Sequence, residues 1–365
     1  MGKVACINPK TNIPDNFKYV DLESVVGTSL IKAKLTTKQL APSRAQRVAK
    51  KGDIFYQTVR PYQKNNFLFD INNYDFQYVF STGYAQLRSE INNYFLFSYL
   101  QRQRFVNLIL RRSTGTSYPA ISSKDLSEIK IIFPRNSKEQ ENIGKIINLI
   151  DPLITLQQRK MEQLKQLKKA MLQQLFVNKN NKQPILKFKN FRNNWREYKL
   201  SEIVNLEDNK RKPVKATERI RGKIPYYGAN GIQDYVKGYT HIGKHVLIAE
   251  DGANSVDDYP IYFIYSPSWI NNHTHVLTAK EEILSSEFLA YALKKINYAK
   301  YLVGSGRYKL NAEILKLIPL KIPTMNEQKY IESNLSKIDK LIALQQNKLT
   351  QLTALKKYLL QKLFI

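Results

Sequence analysis

The chain has 365 residues, 43% hydrophobic and 11% aromatic, enough apolar material for two or three cored domains and too much for a disordered chain. Its 58 lysines and arginines against 30 aspartates and glutamates leave a formal net charge of +28, which points to a polyanionic partner. No apolar run approaches the roughly 18–20 residues needed to span a bilayer, and the start MGKVACINPK has no signal-peptide core. The lone cysteine, Cys6, excludes a disulfide framework and fits a reducing cytoplasm. Nucleic acid is therefore favoured over a membrane surface. The plainer alternative is a generally basic surface in a chain rich in Lys, Asn, Ile and Tyr.

Residues 1–137 alternate short β-like runs with loops. Examples are Asp53-Ile54-Phe55-Tyr56-Gln57-Thr58-Val59 and Ile129-Lys130-Ile131-Ile132-Phe133. Phe95, Tyr99, Leu100, Val106 and Leu110 recur at helical spacing and predict one helix over Asn93–Leu110. A long helical region follows over 138–176, then a polar linker over 177–192. Residues 193–322 repeat the mixed, β-rich pattern, with a helix predicted near Ser286–Tyr301, and 323–365 form a second long helical region.

The two helical regions are near copies. EQENIGKIINLIDPLITLQQRKMEQLKQLKKAMLQQLF (139–176) aligns without a gap to EQKYIESNLSKIDKLIALQQNKLTQLTALKKYLLQKLF (327–364), both ends displaced by 188 positions. Roughly half the positions are identical, the mark of a repeated structural unit. The duplication reaches into the globular parts, which end GTSYPAISSKDLSEIKIIFP and GSGRYKLNAEILKLIPLKIP, each a turn, a tyrosine, a short helix-like stretch and a β run closing on proline.

Asp151-Pro152 places an N-cap before a proline at the first helical position, so both helices are expected to restart there; in the second copy Asp339 can cap while Lys340 replaces the proline. From there Ile154, Met161, Leu164, Met171 and Leu175 form an apolar seam, matched by Ile342, Leu349, Leu352, Leu359 and Leu363. Gln157 and Lys168, and Gln345 and Lys356, interrupt both copies at the same places. A second stripe (Leu153, Leu156, Leu167, Leu172; Leu341, Leu344, Leu355, Leu360) widens the apolar face. Two core helices of a bundle would suffice for this pattern. Self-similar faces also pack naturally about a two-fold axis, which predicts an antiparallel pair with the leftover stripe free for a partner. About 24 residues at 1.5 Å each span roughly 36 Å, close to one turn of B-DNA.

Active-site signatures are missing from the sequence. There is no phosphate loop, no Asn/Asp-Pro-Pro-aromatic run for amino methylation and no nuclease carboxylate–lysine cluster. His273-Thr274-His275 would put two imidazoles on one face of a strand, but with neither a cysteine nor a third spaced ligand no metal site is expected. Glu250-Asp251 is an acidic pair in a Gly-rich turn. Acid–base work is one use; a structural turn or an acceptor for an exocyclic base amine is the favoured one. Such a chain should read or scaffold rather than catalyse.

The first globular part carries Lys51-Gly52-Asp53-Ile54-Phe55 and Val59-Arg60-Pro61. The second carries Ile224-Pro225-Tyr226-Tyr227-Gly228-Ala229-Asn230-Gly231, His245-Val246-Leu247-Ile248-Ala249-Glu250-Asp251-Gly252-Ala253 and Asn271-Asn272-His273-Thr274-His275-Val276-Leu277. With these runs the sequence resembles, over essentially its whole length, the specificity subunit of type I restriction–modification systems. The repeat helices, starting Glu139-Gln140 and Glu327-Gln328 and ending Leu-Phe, match that family's central and distal spacers. The first part lacks the Tyr-Gly-Ala-Asn-Gly and Glu-Asp-Gly runs.

The resemblance implies an α+β fold: two mixed, β-rich target recognition domains (1–137 and 193–322) joined by two long antiparallel, coiled-coil-like helices with internal pseudo-two-fold symmetry. It implies that each domain reads one half of a split site in double-stranded DNA. The helices would set the gap and dock two methyltransferase subunits, with restriction/motor subunits joining the full complex. The chain itself would be non-catalytic and hold no metal, with S-adenosylmethionine, ATP and Mg on the partners only. The rival readings are the recognition part of a fused restriction/methylation enzyme and a basic coiled-coil scaffold without sequence specificity.

Basic or amide residues in turn-rich places with aromatics nearby are the candidate DNA contacts. In the first part these are Arg44, Arg47, Gln57, Arg60, Arg111, Arg112, Thr116, Ser117 and Tyr118. In the second they are Arg211, Arg219, Arg221, Tyr227, Asn230, Asn254, Arg307, Tyr308 and Lys309. Thr116-Ser117-Tyr118 and Arg307-Tyr308 occupy corresponding turns and are the preferred pair. For any single one of these residues, a solvated surface charge is an equally good account.

Overall fold

A computed structural model describes residues 1–177, 181–191, 193–304 and 308–364. The chain divides into two compact units, one of residues 1–160 with 345–365 and the other of residues 161–344. Each therefore combines one globular part, or head, with a stretch of both long helices.

In the first unit the strands are β1 (Ala5–Ile7), β2 (Asn16–Val20), β3 (Val25–Val26), β4 (Ser29–Leu30), β5 (Lys34–Thr37), β6 (Ala45–Val48), β7 (Ile54–Gln57), β8 (Phe67–Leu68), β9 (Tyr78–Ser81) and β10 (Tyr84–Ser89). Helices α1 (Asn93–Leu100), α2 (Gln103–Arg112) and α3 (Ser123–Glu128) precede α4 (Ser137–Leu175). One antiparallel sheet has the order β1-β10-β7-β8 and a second has the order β5-β2-β9-β6, with β2 and β9 parallel. β7 is buried along its whole length, which its unbroken Ile54-Phe55-Tyr56 run anticipates.

The second unit holds β11 (Arg196–Lys199), α5 (Leu200–Ile203), β12 (Val204–Leu206), β13 (Arg221–Gly228), β14 (Gly231–Val236), β15 (His245–Ala249), β16 (Ile261–Ile264), β17 (Trp269–Ile270), β18 (Thr274–Ala279), α6 (Ser286–Leu293), α7 (Ala312–Leu317) and β19 (Pro319–Ile322). Its main sheet has the order β12-β18-β15-β16, and a second has the order β14-β13-β17 with β13 and β17 parallel. Taken in sheet order, β1, β10, β7 and β8 correspond to β12, β18, β15 and β16. The parallel pair β2–β9 corresponds to β13–β17. The heads are thus duplicated in topology where their sequences have diverged.

Three expectations about elements of the heads need correction. The predicted helix over Asn93–Leu110 is two helices, broken at Gln101–Arg102: α1, N-capped by Asn92 accepting from Phe95 N, ends where Gln101 N donates to Ser98 O, and α2 starts afresh after Arg102. The helix near Ser286–Tyr301 stops at Leu293 and gives way to a short 3-10 turn over Tyr298–Lys300. Ile129–Phe133 is not a strand, although its counterpart β19 is: β19 pairs with β11, while no strand pairs with 129–133 among the described residues.

α8 (Met325–Lys362) completes the chain, and neither long helix restarts. α4 runs through Pro152, which removes one amide hydrogen bond but leaves Ile147 and Ile150 buried just before it. Asp151 is not a cap. Its carboxylate accepts from Lys356 Nζ at 2.5 Å and from Thr28 Oγ1 at 3.2 Å.

Within the first unit, Ile143 and Ile147 share a core with Phe364 while Asp151 meets Lys356, so the two helices run antiparallel. Within the second, Lys168 pairs with Asp339 while Leu175 and Phe176 share a core with Ile331 and Leu335, again antiparallel. Along the seam, Ile154, Met161, Leu164, Met171, Ile342, Leu349, Leu352, Leu359 and Leu363 are half-buried and Leu175 is buried. Of the outer stripe, Leu153, Leu156 and Leu167 and their counterparts Leu341, Leu344 and Leu355 stay exposed, Leu153 at 46% and Leu341 at 45%, while Leu172 and Leu360 are half-buried against the head cores. Each Leu-Phe end plugs a head. Phe364 lies 5.2 Å from Phe95 between ring centroids, and Phe176 lies 5.3 Å from Phe288. At Gly144 α4 passes so close to α1 that a Cβ would come within 2.6 Å of Phe95 N. No helix is long and apolar enough to cross a membrane among the described residues.

Candidate nucleic-acid interface

In both heads the fully buried sheet strand runs out into the same kind of loop. After β7 come Thr58, Val59 and Arg60; after β15 come Glu250, Asp251 and Gly252. A second loop closes on each. Thr114 and Ala120 exchange both backbone hydrogen bonds at 2.9 Å, as do Val303 and Lys309. Ala120 also bridges Val59, and Lys309 bridges Asp251. The flanks of the segments that carry Thr116-Ser117-Tyr118 and Tyr308 are therefore paired alike; Arg307 lies outside the described residues.

Arg60 sits where the second head has Gly252, and both are left-handed, with φ of 54° and 67°. That conformation costs a non-glycine residue roughly 1 kcal/mol. It directs the Arg60 guanidinium over the ring of Tyr118, 4.2 Å from its centroid, while Arg60 N donates to Pro119 O at 2.7 Å. Tyr118 is 63% exposed. A guanidinium stacked on one face keeps its N–H edge for a planar acceptor, the geometry that suits guanine O6 and N7.

In the second head Asn230 links the two motif runs. Its Nδ2 donates to Gly252 O at 2.9 Å and its Oδ1 accepts from Asn254 N at 3.0 Å. Under this loop lies a charged cluster. Arg211 donates to Glu250 at 2.7 Å and to Thr274 O at 3.0 Å, and Lys309 Nζ lies 3.0 Å from Glu250. His275 Nδ1 meets Asp208 at 2.5 Å, and His273 Nδ1 meets Asp251 at the same distance. Burial works to raise the Glu250 pKa, but Arg211 and Lys309 outweigh it and hold the carboxyl below its ordinary range. Asp208, Glu250 and His275 have ligand atoms within 4.8 Å of one another, yet the Arg211 guanidinium already faces both carboxylates. The two imidazoles take different carboxylates rather than converging on one point. Glu250-Asp251 is thus part of a turn held by internal charges.

The remaining candidates divide by exposure. Arg44, Arg111, Arg112, Thr116, Ser117, Arg221, Asn254 and Tyr308 are exposed, and Tyr227 is half-buried. Gln57 departs from its expected role: it is buried, with Nε2 on Gln63 and Oε1 accepting from Asn65 N, so it shapes the loop. Arg211 is spent on the cluster described above. Arg219 is spent on Tyr226, at 4.1 Å from the ring centroid, and on Asp234. Arg47 is half-buried with Nε enclosed and without an acceptor, and burial lowers its pKa. Lys309 is exposed but tethered to Glu250. Sequence reasoning missed Asp151 and Asp339 as ion-pair partners and Arg102 as a buried cation. The shared 188-residue offset of Asp151/Asp339 and Lys168/Lys356 was the available signal for the first two.

The family model for the type I restriction modification DNA specificity domain matches this chain twice, over residues 9–166 and 192–354. The chain belongs to that family. The match repeats at the duplication already visible in helices and sheets. Among its relatives, a Haemophilus influenzae chain provisionally named a type I restriction enzyme specificity subunit is 48% identical over 129 residues, covering 35% of this chain and 33% of the relative. The MjaVIII specificity subunit of Methanocaldococcus jannaschii is 24% identical over 282 residues, covering 69% of this chain and 65% of the relative. The chain thus matches between a third and about two thirds of the length of these curated relatives. The crystal structure of a type I restriction-modification S subunit from M. genitalium has the same fold, with a TM-score of 0.73 at 19% identity, covering 100% of this chain and 94% of that one.

Proposed function

We propose that this chain is the sequence-reading subunit of a type I restriction–modification complex and that its ligand is double-stranded DNA. Each head reads one half of a split site, and the paired helices set the gap between the halves. Two methyltransferase subunits dock on the helix pair, whose exposed leucine stripe recurs in both copies. Restriction/motor subunits join the full complex. The chain does no chemistry in this reading: S-adenosylmethionine sits on the methyltransferases, which modify adenine N6, and ATP and Mg sit on the motor.

The observation that carries the reading is the matched loop pair. Two topologically equivalent heads present equivalent turns at the end of an equivalent buried strand, with different side chains on them. Equal scaffolds with unequal tips are what two readers of unequal half-sites require. The net charge of +28 supplies the sequence-independent attraction to phosphate.

The test is adenine-methylation sequencing of a host carrying the partner methyltransferase gene, with and without the gene for this chain. A bipartite methylated motif present only with both genes supports the reading. Methylation by this chain alone, or no new motif with both genes expressed, overturns it.

A further inference from the structure

The first unit contains a cleft of about 1290 Å³ that the DNA-reading loops do not account for. It lies between α2 and the last turns of α8, and its lining is cationic without relief. Lys64, Arg104, Arg111, Lys130 and Lys357 face it, and no aspartate or glutamate lines it. At its base Arg102 is only 7% exposed. The Arg102 guanidinium lies 4.5 Å from the Tyr99 ring centroid and 5.1 Å from that of Phe364, and it makes no ion pair among the described residues. Beside it Gln101, 5% exposed, also lines the cleft, and its amide nitrogen is enclosed with no acceptor.

A buried cation without a counter-ion and a buried donor without an acceptor are each costly, and a native fold rarely carries both side by side. One anion relieves both. We propose that this cleft is a phosphate-binding site. A phosphoryl group offers several acceptor oxygens and up to two charges, which matches a guanidinium fork, an amide and a ring of further cations better than a single carboxylate does. The cleft exceeds the roughly 300–1,000 Å³ of ordinary small-ligand sites, so the phosphate belongs to something bigger than the free ion, either a nucleotide or a nucleic-acid strand. The titration of the lining agrees. Burial lowers the pKa of Arg102, and burial followed by repulsion from Lys356 lowers that of Lys64. This site is independent of which bases the heads read.

The experiment is calorimetric titration of the full chain with sodium pyrophosphate at low salt, with glutarate as the dicarboxylate control. Pyrophosphate should bind saturably and glutarate should not. Arg102→Gln should weaken pyrophosphate by about tenfold or more, the worth of one charge-assisted contact. Because Arg102 is buried, the rim variant R104Q/K357Q is titrated in parallel and should lose a similar factor while keeping the wild-type circular dichroism spectrum. No saturable pyrophosphate binding, equal affinity in the folded variants, or equal binding of glutarate would overturn the proposal. A 20-base-pair duplex of arbitrary sequence then assigns the source. If it displaces pyrophosphate from the wild type, the phosphate is a strand's; if pyrophosphate binding persists beside bound duplex, it is a free nucleotide's.

Discussion

Lys356 Nζ lies 2.5 Å from Asp151 Oδ1, and the contact is repeated with the copies exchanged, Lys168 pairing with Asp339. Lysine and aspartate each sit 188 positions from their counterparts, so each copy donates once and accepts once. That reciprocity is how a self-complementary interface is recognised. The polar interruptions of the apolar seam therefore fix the register of the helix pair.

The Lys356–Asp151 pair is mostly buried, with side-chain exposures of 19% and 15%. Its loss should cost roughly 1–3 kcal/mol, between an exposed and a fully buried pair. K356D and D151K should each lower the urea midpoint, and the double exchange should recover most of the loss. A double mutant no better than the worse single one would show that the pair does not act as a unit.

Gly144 should resist substitution although it lies inside a helix. Alanine would gain about 1 kcal/mol of helix propensity. Its methyl, however, would meet Phe95 N at 2.6 Å, a backbone atom that cannot swing away. Overpacking of this kind costs about 1–3 kcal/mol, so G144A should be destabilising on balance in urea denaturation.

Acid should weaken the second head through Glu250. Its folded pKa is depressed, so its stabilisation is full above the ordinary glutamate value of about 4.3 and is lost as pH falls through the folded value. E250Q should be less stable than wild type near neutrality, and the gap should close on acidification. Denaturation curves that stay parallel from neutrality to acid would contradict this assignment.

Arg60 should trade stability for function. R60G removes a left-handed arginine and should leave the thermal midpoint unchanged or raised, the gain being about 1 kcal/mol at most. DNA affinity should fall at the same time, by about tenfold, as one base-reading contact is lost. Affinity unchanged in a gel-shift titration would remove Arg60 from the interface.

Much of this was legible in the residues because duplication leaves a trace that single-copy folds lack. Two near-identical apolar repeats foreshadow the antiparallel helix pair, and the unbroken apolar run at Ile54 foreshadows a strand. The restart at Asp151-Pro152 misled because local capping chemistry points to a helix start, whereas the tertiary partner Lys356, 205 positions away by its number, claims the carboxylate. The break at Gln101–Arg102 was hidden by apolar spacing that continues across it. Residue type alone cannot separate Arg60, stacked with its edge free, from Arg211, folded into a charge cluster beneath a loop.

In the proposed function the two heads read two separate half-sites. The most direct measurement is the adenine-methylation motif produced with the partner methyltransferase by the wild type and by the double variant R60G/Y118A, which alters only the first head's loop pair. Reading by two separate heads predicts that one half of a bipartite motif becomes degenerate while the other half and the gap between them stay fixed. A motif that changes in both halves, or in its spacing, would contradict it.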